Sequence, residues 1–373
     1  MIEAIAVSLI AVLFAFMARN NKGDIWLKLS MFTLTVFLSI GYNWGSDVSS
    51  YNEFFNIINS YGGSLFDYSV GGAFYEKGEY GWVILNRLCS GIGFWGLRIV
   101  LFCFENFVIY RLIKHYVSKD YYWMAVFFYT FNNSLMVLGS SMMRQFLAMC
   151  IIALAMDYLI QYRASHQEKK VNLWSSFVYV IAVMFASLFH RSALFALPAF
   201  MIVYFNYNFT RKSILPLILI ALVWFSFGYL VVLSSTSALM TDYFESYSGE
   251  YETISGSIGV GVIFNLLLYI LIYSRFDHLT KEQKFVCVFS SISVMIMPFV
   301  TVYEYVTRIA LYFSLFSIVV YPIFFKSVAK NDLKYLIIPL IILTLYGYWG
   351  FFHNPLWAKA YQYTTIFSVG GWQ

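Results

Sequence analysis

Apolar residues occur along this chain in long blocks, and the short polar segments between the blocks hold most of the charged side chains. Such blocks approach the roughly 17–25 residues that a helix needs to cross a hydrocarbon core of about 30 Å. The predicted spans are 3–18, 25–43, 95–113, 121–139, 144–162, 174–189, 192–205, 214–234, 258–273, 285–300, 309–325 and 335–350. The pattern therefore predicts an all-α, polytopic integral membrane protein with about 12 transmembrane helices.

The first block, 3–18, has the position of a signal peptide but lacks its flanking features. No basic segment precedes it, and Arg19-Asn20-Asn21-Lys22 follows it where small residues would mark a cleavage site. The block therefore predicts a first helix that is retained in the protein.

The distribution of Lys and Arg orients the predicted spans. When the first loop between helices is taken as cytoplasmic, most of the 24 Lys and Arg residues fall in cytoplasmic loops. The loop 235–257, on the other side, carries none and is acidic instead. Because cytoplasmic loops of membrane proteins are enriched in Lys and Arg, the segregation predicts that both termini lie outside the cytoplasm.

Two segments on the predicted outer side, 44–94 and 235–257, are too long to be simple turns, and the tail 351–373 lies on the same side. The first of them contains the half-apolar stretch 80–94, which Asn86, Arg87 and several glycines interrupt, and which predicts a re-entrant or interfacial helix. Connections of this length usually serve function. Since no internal repeat and no soluble segment is apparent, residues 1–373 are predicted to form a single transmembrane domain.

Composition excludes a soluble globular protein, because hydrophobic residues make up 61% of the chain and charged residues only 12%. A soluble domain has about a quarter of its residues charged. The formal net charge of +5 gives no indication of nucleic-acid binding. The four cysteines lie within or beside apolar blocks and form no CxxC pair, so neither a disulfide framework nor a metal site is expected.

The basic residues that remain on the predicted outer side are mostly arginines: Lys77, Arg87, Arg98, Arg144, Arg191, Arg308 and Lys359. A planar guanidinium suits diphosphate and carboxylate groups, so this face is expected to bind an anionic ligand. Arg144, Arg191 and Arg308 are the candidates for diphosphate binding, because each lies at a helix end beside other polar groups. The alternative for any one arginine is to reach lipid headgroups, and it fits Arg98 best.

The segment Ser140-Ser141-Met142-Met143-Arg144-Gln145 begins a predicted helix at the outer face. The serines are expected to cap that helix, whose positive end would add to the field of Arg144.

Three residues at the same predicted level are candidates for a general base, namely Asp47, Glu79 and His190. Desolvation at a membrane interface can raise the pKa of a carboxylate and fit it to accept a proton. His190 stands beside Arg191 and Ser192, between two apolar spans. The alternatives are a solvated loop acid and a hydrogen-bonded structural histidine, and the residues alone leave the choice open.

Aromatic residues make up 21% of the chain, with 31 Tyr among them. Interfacial belts account for many aromatics in membrane proteins. Tyr51, Tyr247 and Tyr363, in the outer loops and tail, are candidates to stack on sugar rings instead. The chain contains no P-loop, no HExxH and no GxSxG motif, so no nucleotide site is predicted and neither a cofactor nor a metal is expected.

A set of short motifs runs through most of the chain. In chain order they are Gly45-Ser46-Asp47 followed by Tyr51; Glu79-Tyr80-Gly81 opening an apolar helix; Arg144-Gln145 followed by Leu147-Ala148; His190 with Ser192-Ala193-Leu194; Arg308 before Tyr312-Phe313; and Asn354-Pro355. With these motifs the chain resembles the EpsG family, a branch of the Wzy-type bacterial polysaccharide polymerases of O-antigen, capsule and exopolysaccharide. One departure is Tyr42-Asn43-Trp44, where the family often has an arginine.

The resemblance implies a GT-C-like glycosyltransferase in the bacterial cytoplasmic (inner) membrane. Its substrates would be undecaprenyl-diphosphate-linked oligosaccharide repeat units that have reached the outer leaflet. One growing chain would pass from its lipid diphosphate to a terminal sugar hydroxyl of another unit. The resemblance also implies membrane lipid, a flippase and a chain-length regulator as partners.

Two other classes of function compete with this one. A lipid-linked oligosaccharide flippase or transporter would have ionisable residues near the bilayer midplane and often repeated halves. Only Glu105 is clearly central in its predicted span, and no repeat is visible. A membrane O-acyltransferase acting on surface glycans also uses a histidine among many helices, but it would need a path for an acyl donor.

Overall fold

The computed structural model describes residues 1–20, 24–60, 78–165, 173–204, 260–296, 305–328 and 330–368. Regular structure among these residues is helical, apart from one antiparallel bridge between Gly41 and Thr365. The α-helices are α1 Ile2–Met17, α2 Ile25–Ile40, α3 Val48–Ser60, α4 Tyr80–Leu88, α5 Gly93–Tyr116, α6 Tyr122–Phe131, α7 Leu138–Ser141, α8 Met143–Ser165, α9 Leu173–Ser187, α10 Phe200–Tyr204, α11 Val260–Ser274, α12 Lys281–Ile296, α13 Tyr305–Ser314, α14 Ser317–Ser327, α15 Lys330–His353 and α16 Pro355–Ala360.

Four of the described helical segments are long and apolar enough to cross a membrane: Ile2–Asn20, Ser90–Tyr116, Met143–Ser165 and Leu336–His353. A fifth results if Thr307–Ser314 and Ser317–Ser327, which meet at a bend of 50°, count as one span. The protein is therefore an all-helical membrane protein. The count of about 12 spans stays a prediction, as does the GT-C-like arrangement. The predicted span 214–234 and the predicted outer loop 235–257 lie outside the described residues.

The contact of α1 with α2 and α6 depends on small residues. The buried positions of α1 recur every three or four residues and are Ala4, Ser8, Ala11 and Ala15. Small side chains let helix backbones approach closely, and Ser30 Oγ uses this approach to donate to the carbonyl of Ala11 at 2.7 Å. The opposite face exposes Leu9 and Leu13, as a helix surrounded by lipid would.

Two predicted spans are helical but irregular. Within 121–139, α6 ends at Phe131 and a π-helical turn, Asn133–Val137, follows. The side chain of Asn132 accepts from the Ser134 backbone N–H at 3.0 Å, and this local bond competes with a continuous α-helix. Within 192–205, a 3-10 helix spans Arg191–Ala199 before α10, and Pro198 within it has no N–H to donate.

Charged residues that were predicted to be cytoplasmic gather at one end of the helix bundle. Lys114 lies 2.7 Å from Asp24, and Arg19 lies 3.3 Å from Asp120. At this end the pKa of Asp24 is lowered by its hydrogen bond from Lys114. Gly41 follows the other end of α2, and Arg144 lies at the start of α8, away from the basic residues at its end. The loops predicted to be cytoplasmic and those predicted to be outside therefore lie at opposite ends of the bundle.

Arg98 corrects one expectation. The sequence suggested that it reaches lipid headgroups, but its side chain is fully buried. It donates to the carbonyl of Leu38 at 3.1 Å and to that of Gly41. The last carbonyls of a helix have no partner within the helix, so Arg98 completes the hydrogen bonding at the end of α2.

Candidate functional site

The loop that carries Asp47 is held in place by its backbone. Gly45 has a φ of 131°, which only glycine adopts readily, and its N–H donates to the carbonyl of Ala360 at 3.0 Å. The N–H of Ser46 donates to Ser141 Oγ at 2.7 Å. The carboxylate of Asp47, half-buried at the start of α3, accepts from Ser46 Oγ at 2.8 Å.

The tail after α16 forms part of the same structure. The Tyr42 N–H donates to the Thr364 carbonyl at 2.7 Å, and the Ile366 N–H donates to the Ile40 carbonyl at 3.0 Å. The Tyr361 hydroxyl lies 2.8 Å from Ser141 Oγ. Burial raises the pKa of Tyr361 to about 12, so its phenol stays protonated. The tail thus fixes the loop before Asp47 against the turn before α8.

Glu79 and Arg144 form a buried ion pair. Glu79 lies just before α4 and is 2% exposed, while the side chain of Arg144, at the start of α8, is 21% exposed. Arg144 Nη1 donates to Glu79 Oε2. Glu79 Oε1 accepts from the backbone N–H of Arg191 at 3.1 Å. The carboxylate therefore joins α4, α8 and the 3-10 helix that begins at Arg191.

Tyr51 packs beside this ion pair. Arg144 Nε donates to the Tyr51 hydroxyl at 3.4 Å, and the guanidinium carbon lies 5.7 Å from the centre of the Tyr51 ring. The ring also meets Trp82 in an edge contact, with centroids 5.4 Å apart. Burial raises the pKa of Tyr51, although the charge of Arg144 opposes this effect. The phenol therefore remains a hydrogen-bond donor beside the guanidinium.

Arg308 adjoins the pair through the neighbouring residue. Gln145 Nε2 donates to the backbone carbonyl of Arg308 at 2.8 Å, and the side chain of Arg308 is half-buried. This bond ties the start of α8 to α13, so Arg144 and Arg308 lie in adjoining segments.

His190 lies in a buried hydrogen-bonded group. Its Nδ1 is 2.6 Å from Ser192 Oγ and 3.4 Å from the Tyr312 hydroxyl, and Ser192 Oγ is 3.1 Å from the same hydroxyl. All three side chains are buried. Arg191 lies between His190 and Ser192 in the chain, and its backbone N–H donates to Glu79. The hydrogen-bonded group of His190 is therefore next to the ion pair.

The structure brings most of the predicted site residues together at one end of the bundle. Glu79, Tyr51, Arg144 and the backbone of Arg191 are in direct contact. Asp47 lies one turn before Tyr51, and its charge acts to raise the pKa values of Tyr51 and Tyr361. We name this set, Asp47, Tyr51, Glu79, Arg144 and Arg191, the carboxylate–arginine cluster. His190 and Arg308 adjoin it.

Of the predicted sugar-binding residues, Tyr363 does not contact the residues of the cluster that the structure describes. The ring of Tyr363 stacks on Phe37, with centroids 4.3 Å apart, and its hydroxyl donates to the Phe37 carbonyl at 3.0 Å. Tyr247 lies outside the described residues. Their contact with sugar stays a prediction.

Sequence reasoning missed the role of Ser141. The serines before α8 were expected to cap it, but Ser140 Oγ donates to the Val137 carbonyl at 2.6 Å, and Ser141 Oγ binds Ser46 and Tyr361. The partners of Ser141 come from distant parts of the chain, so no local pattern indicated them. Ser141 thus holds together the loop before Asp47, the turn before α8 and the tail after α16, which support one side of the cluster.

Gly81 provides a test of how α4 supports the cluster. Its N–H donates to the Leu188 carbonyl at 2.9 Å, and a Cβ added here would lie 2.9 Å from Leu188 Cβ. We expect Gly81→Ala to push the segment before Arg191 away from Glu79 and to reduce the unfolding free energy by about 1–3 kcal/mol. Thermal unfolding of the purified protein measures this.

Gly91→Ala is the matched control, because a Cβ added at Gly91 has no heavy atom within 4 Å. It should unfold within one or two degrees of the unchanged protein. Equal melting temperatures for Gly81→Ala and the unchanged protein would contradict the close approach.

The fold and the cluster define an integral membrane protein with a carboxylate–arginine site at one end of its helices. A family model described as the EpsG family matches residues 24–365, and the chain therefore belongs to the EpsG family. Every residue of the cluster lies within the matched range, and the resemblance predicted from the sequence is confirmed. Membership associates the protein with polysaccharide polymerisation in a general sense. Among curated proteins and solved structures, no match to the chain was found.

Proposed function

We propose that the protein joins undecaprenyl-diphosphate-linked oligosaccharide repeat units at the outer face of the bacterial cytoplasmic membrane. The observation that carries this proposal is the carboxylate–arginine cluster. The side chain of Arg144 is 21% exposed, so its charge is only partly screened by water and a ligand can still contact it. Family membership supports the reaction class. The distribution of Lys and Arg in the sequence supports an orientation in which the cluster would face the side where flipped repeat units are found.

Arg144 is the principal diphosphate-binding residue of this proposal, with Arg191 and Arg308 beside it. A guanidinium presents several N–H groups in one plane and keeps its charge at all physiological pH values. Arg144 is also held by Glu79 and Tyr51, so its position is set before a ligand arrives. Such fixed positive charge stabilises the negative charge that develops on a leaving diphosphate.

The proposed transfer step is a substitution at the anomeric carbon of the donor. The oxygen of the acceptor sugar hydroxyl forms a bond to that carbon, and the bond from the carbon to the phosphate oxygen breaks. The bonding electron pair leaves with the diphosphate, which remains attached to the lipid. The proton of the acceptor hydroxyl passes to a protein carboxylate and then to water.

Asp47 is the residue that we propose to accept this proton. Both oxygens of Glu79 are engaged, and the carboxylate is 2% exposed. His190 is buried, and its Nδ1 faces Ser192 and Tyr312. Asp47 is half-buried, and its one hydrogen-bonded oxygen accepts from Ser46. A proton acceptor must be reachable by the acceptor sugar, and Asp47 meets that condition best.

The function itself is tested with purified protein and synthetic lipid-diphosphate repeat units of the native glycan. We expect a ladder of glycan lengths to form with time, while lipid diphosphate accumulates in step with each bond. Movement of intact repeat units across vesicle membranes without any ladder would contradict the polymerase and favour a transporter.

Asp47→Asn tests the proposed base. The amide keeps the size of the side chain and can still accept a hydrogen bond from Ser46, but it cannot take up a proton. We expect the rate of ladder formation to fall by about 10²–10⁴-fold, as the loss of a general base does. Glu53→Gln, which removes a carboxylate from α3 outside the cluster, should leave the rate unchanged. A rate for Asp47→Asn within about threefold of the unchanged protein would assign the base elsewhere.

A further inference from the structure

Arg144 is already paired with an anion of the protein. The Glu79 carboxylate accepts from Arg144 Nη1, so the residue proposed to bind the diphosphate is electrically neutralised by its own neighbour. Glu79 is among the most buried charged residues described, at 2% exposed, and its second oxygen is fixed by the Arg191 N–H. A lipid diphosphate that binds Arg144 must compete with this carboxylate.

The chemistry of the transfer makes such competition useful. In the donor, each phosphate has one ester bond, shares one anhydride oxygen with the other phosphate, and carries one ionised oxygen. When the anomeric bond breaks, the terminal phosphate gains a further ionisable oxygen, so the product carries more negative charge than the donor. Arginines alone would therefore bind the product more tightly than the substrate, and product release would limit turnover.

We propose that Glu79 is a built-in competitor of lipid diphosphate for Arg144, which weakens binding of the product and so allows it to leave. This inference rests on the proposed function. The Arg191 N–H keeps Glu79 in place when the diphosphate takes its position on Arg144, so the carboxylate can return without a large movement. Arg144 is the more exposed member of the pair, at 21% against 2% for Glu79, which allows an anion to approach it from outside.

Glu79→Gln separates competition from a purely positioning role. Glutamine retains a carbonyl that can accept from the Arg191 N–H or from Arg144, but it removes the negative charge. If Glu79 competes, undecaprenyl diphosphate binds about tenfold more tightly to Glu79→Gln than to the unchanged protein. If Glu79 only orients Arg144, binding becomes weaker, and that result overturns the proposal.

The kinetics provide a second readout. We expect Glu79→Gln to form about one glycosidic bond per protein molecule in a rapid first phase and then to turn over slowly, because release limits the rate. Glu79→Asp should restore steady turnover, since it returns the charge. The control Glu53→Gln removes a carboxylate from the neighbouring α3 and should match the unchanged protein in both assays. Slow turnover without a first phase would overturn the proposal.

A measurement on the unchanged protein covers the case in which Glu79→Gln does not fold. A hydrophobic carbodiimide modifies accessible carboxyl groups, and mass spectrometry locates the modified residue. We expect modification of Glu79 to rise by about threefold or more when undecaprenyl diphosphate is added, because the carboxyl group keeps its bond from the Arg191 N–H but loses its ionic partner Arg144 and so reacts more readily with the reagent. Unchanged or reduced modification, with ligand binding verified, would overturn the proposal. Absence of any undecaprenyl diphosphate binding to the unchanged protein would instead count against the proposed function.

Discussion

Arg144→Lys is expected to lower the rate of ladder formation by about 10²–10³-fold while the protein stays folded. Lysine keeps the positive charge that neutralises Glu79, but it replaces a planar fork of N–H groups with a single ammonium. One ammonium cannot hold Tyr51 and present two parallel N–H groups, first to Glu79 and then to the diphosphate that displaces it, as the guanidinium can. The measurement is the initial rate of ladder formation, with unfolding temperature recorded on the same sample.

Lysine is a sharper substitution here than alanine. Among the residues that the structure describes, Arg144→Ala would leave the buried Glu79 carboxylate with the Arg191 N–H as its one remaining partner. Removing one member of a buried ion pair typically costs about 3–5 kcal/mol of stability, so lost activity in that variant would be confounded by unfolding. The double substitution Glu79→Gln with Arg144→Gln removes both charges and should be more stable than Arg144→Ala alone.

Arg19→Lys is the matched control for Arg144→Lys. Arg19 is exposed and pairs with Asp120 at the opposite end of the bundle, so the same chemical change there should leave polymer formation intact. If folded Arg144→Lys forms the ladder as fast as Arg19→Lys does, Arg144 does not bind the diphosphate.

The membrane class and the identities of the central residues could be predicted from the sequence, because both depend on local patterns. Long apolar blocks identify helices, and arginines at helix ends stand out against an apolar background. The pairing of Glu79 with Arg144 could not be predicted. The two residues are separated by 65 positions, and each was an equally good candidate for a ligand contact by itself.

Arg98 shows a second limit of sequence reasoning. Its position near the start of an apolar helix suits a side chain that reaches lipid headgroups. The carbonyls of Leu38 and Gly41, which have no partner within α2, accept from Arg98 instead. They come close to Arg98 through the packing of α2 on α5, which the sequence does not show. The position of the tail could not be predicted for the same reason, because the contact of Tyr361 with Ser141 joins residues 220 positions apart.

The π-helical and 3-10 segments could not be predicted from hydropathy either. The Ser134 N–H donates to the side chain of Asn132, but the mean hydropathy of a window of about 19 residues hardly changes with one asparagine among apolar neighbours. The same averaging hides the 3-10 geometry of Arg191–Ala199, which places the Arg191 N–H where Glu79 can accept from it. The irregular segments therefore contribute backbone groups to the site that a continuous α-helix would keep within its own ladder.

Arg111→Ala is expected to reduce stability by about 3–5 kcal/mol, a loss as large as that expected for Arg144→Ala. Asp157 on α8 is fully buried, and its carboxylate accepts from Arg111 Nε at 2.7 Å and lies 2.9 Å from His115 Nδ1. Without Arg111, the charge of Asp157 would remain inside the bundle with His115 as its nearest partner. Unfolding temperature and resistance to proteolysis in detergent both measure this loss.

The opposite substitution separates charge burial from the mere loss of a contact. The side chains of Arg111 and His115 are 38% and 29% exposed, so both can reach water when Asp157 is replaced. Asp157→Asn should therefore cost less, about 1–3 kcal/mol. Arg111→Ala combined with Asp157→Asn should be more stable than Arg111→Ala alone, because no buried charge remains. Because this pair lies at the end of the bundle away from Arg144, folded variants should still form the ladder, whereas loss of polymer from a folded Asp157→Asn protein would show that the two ends are coupled.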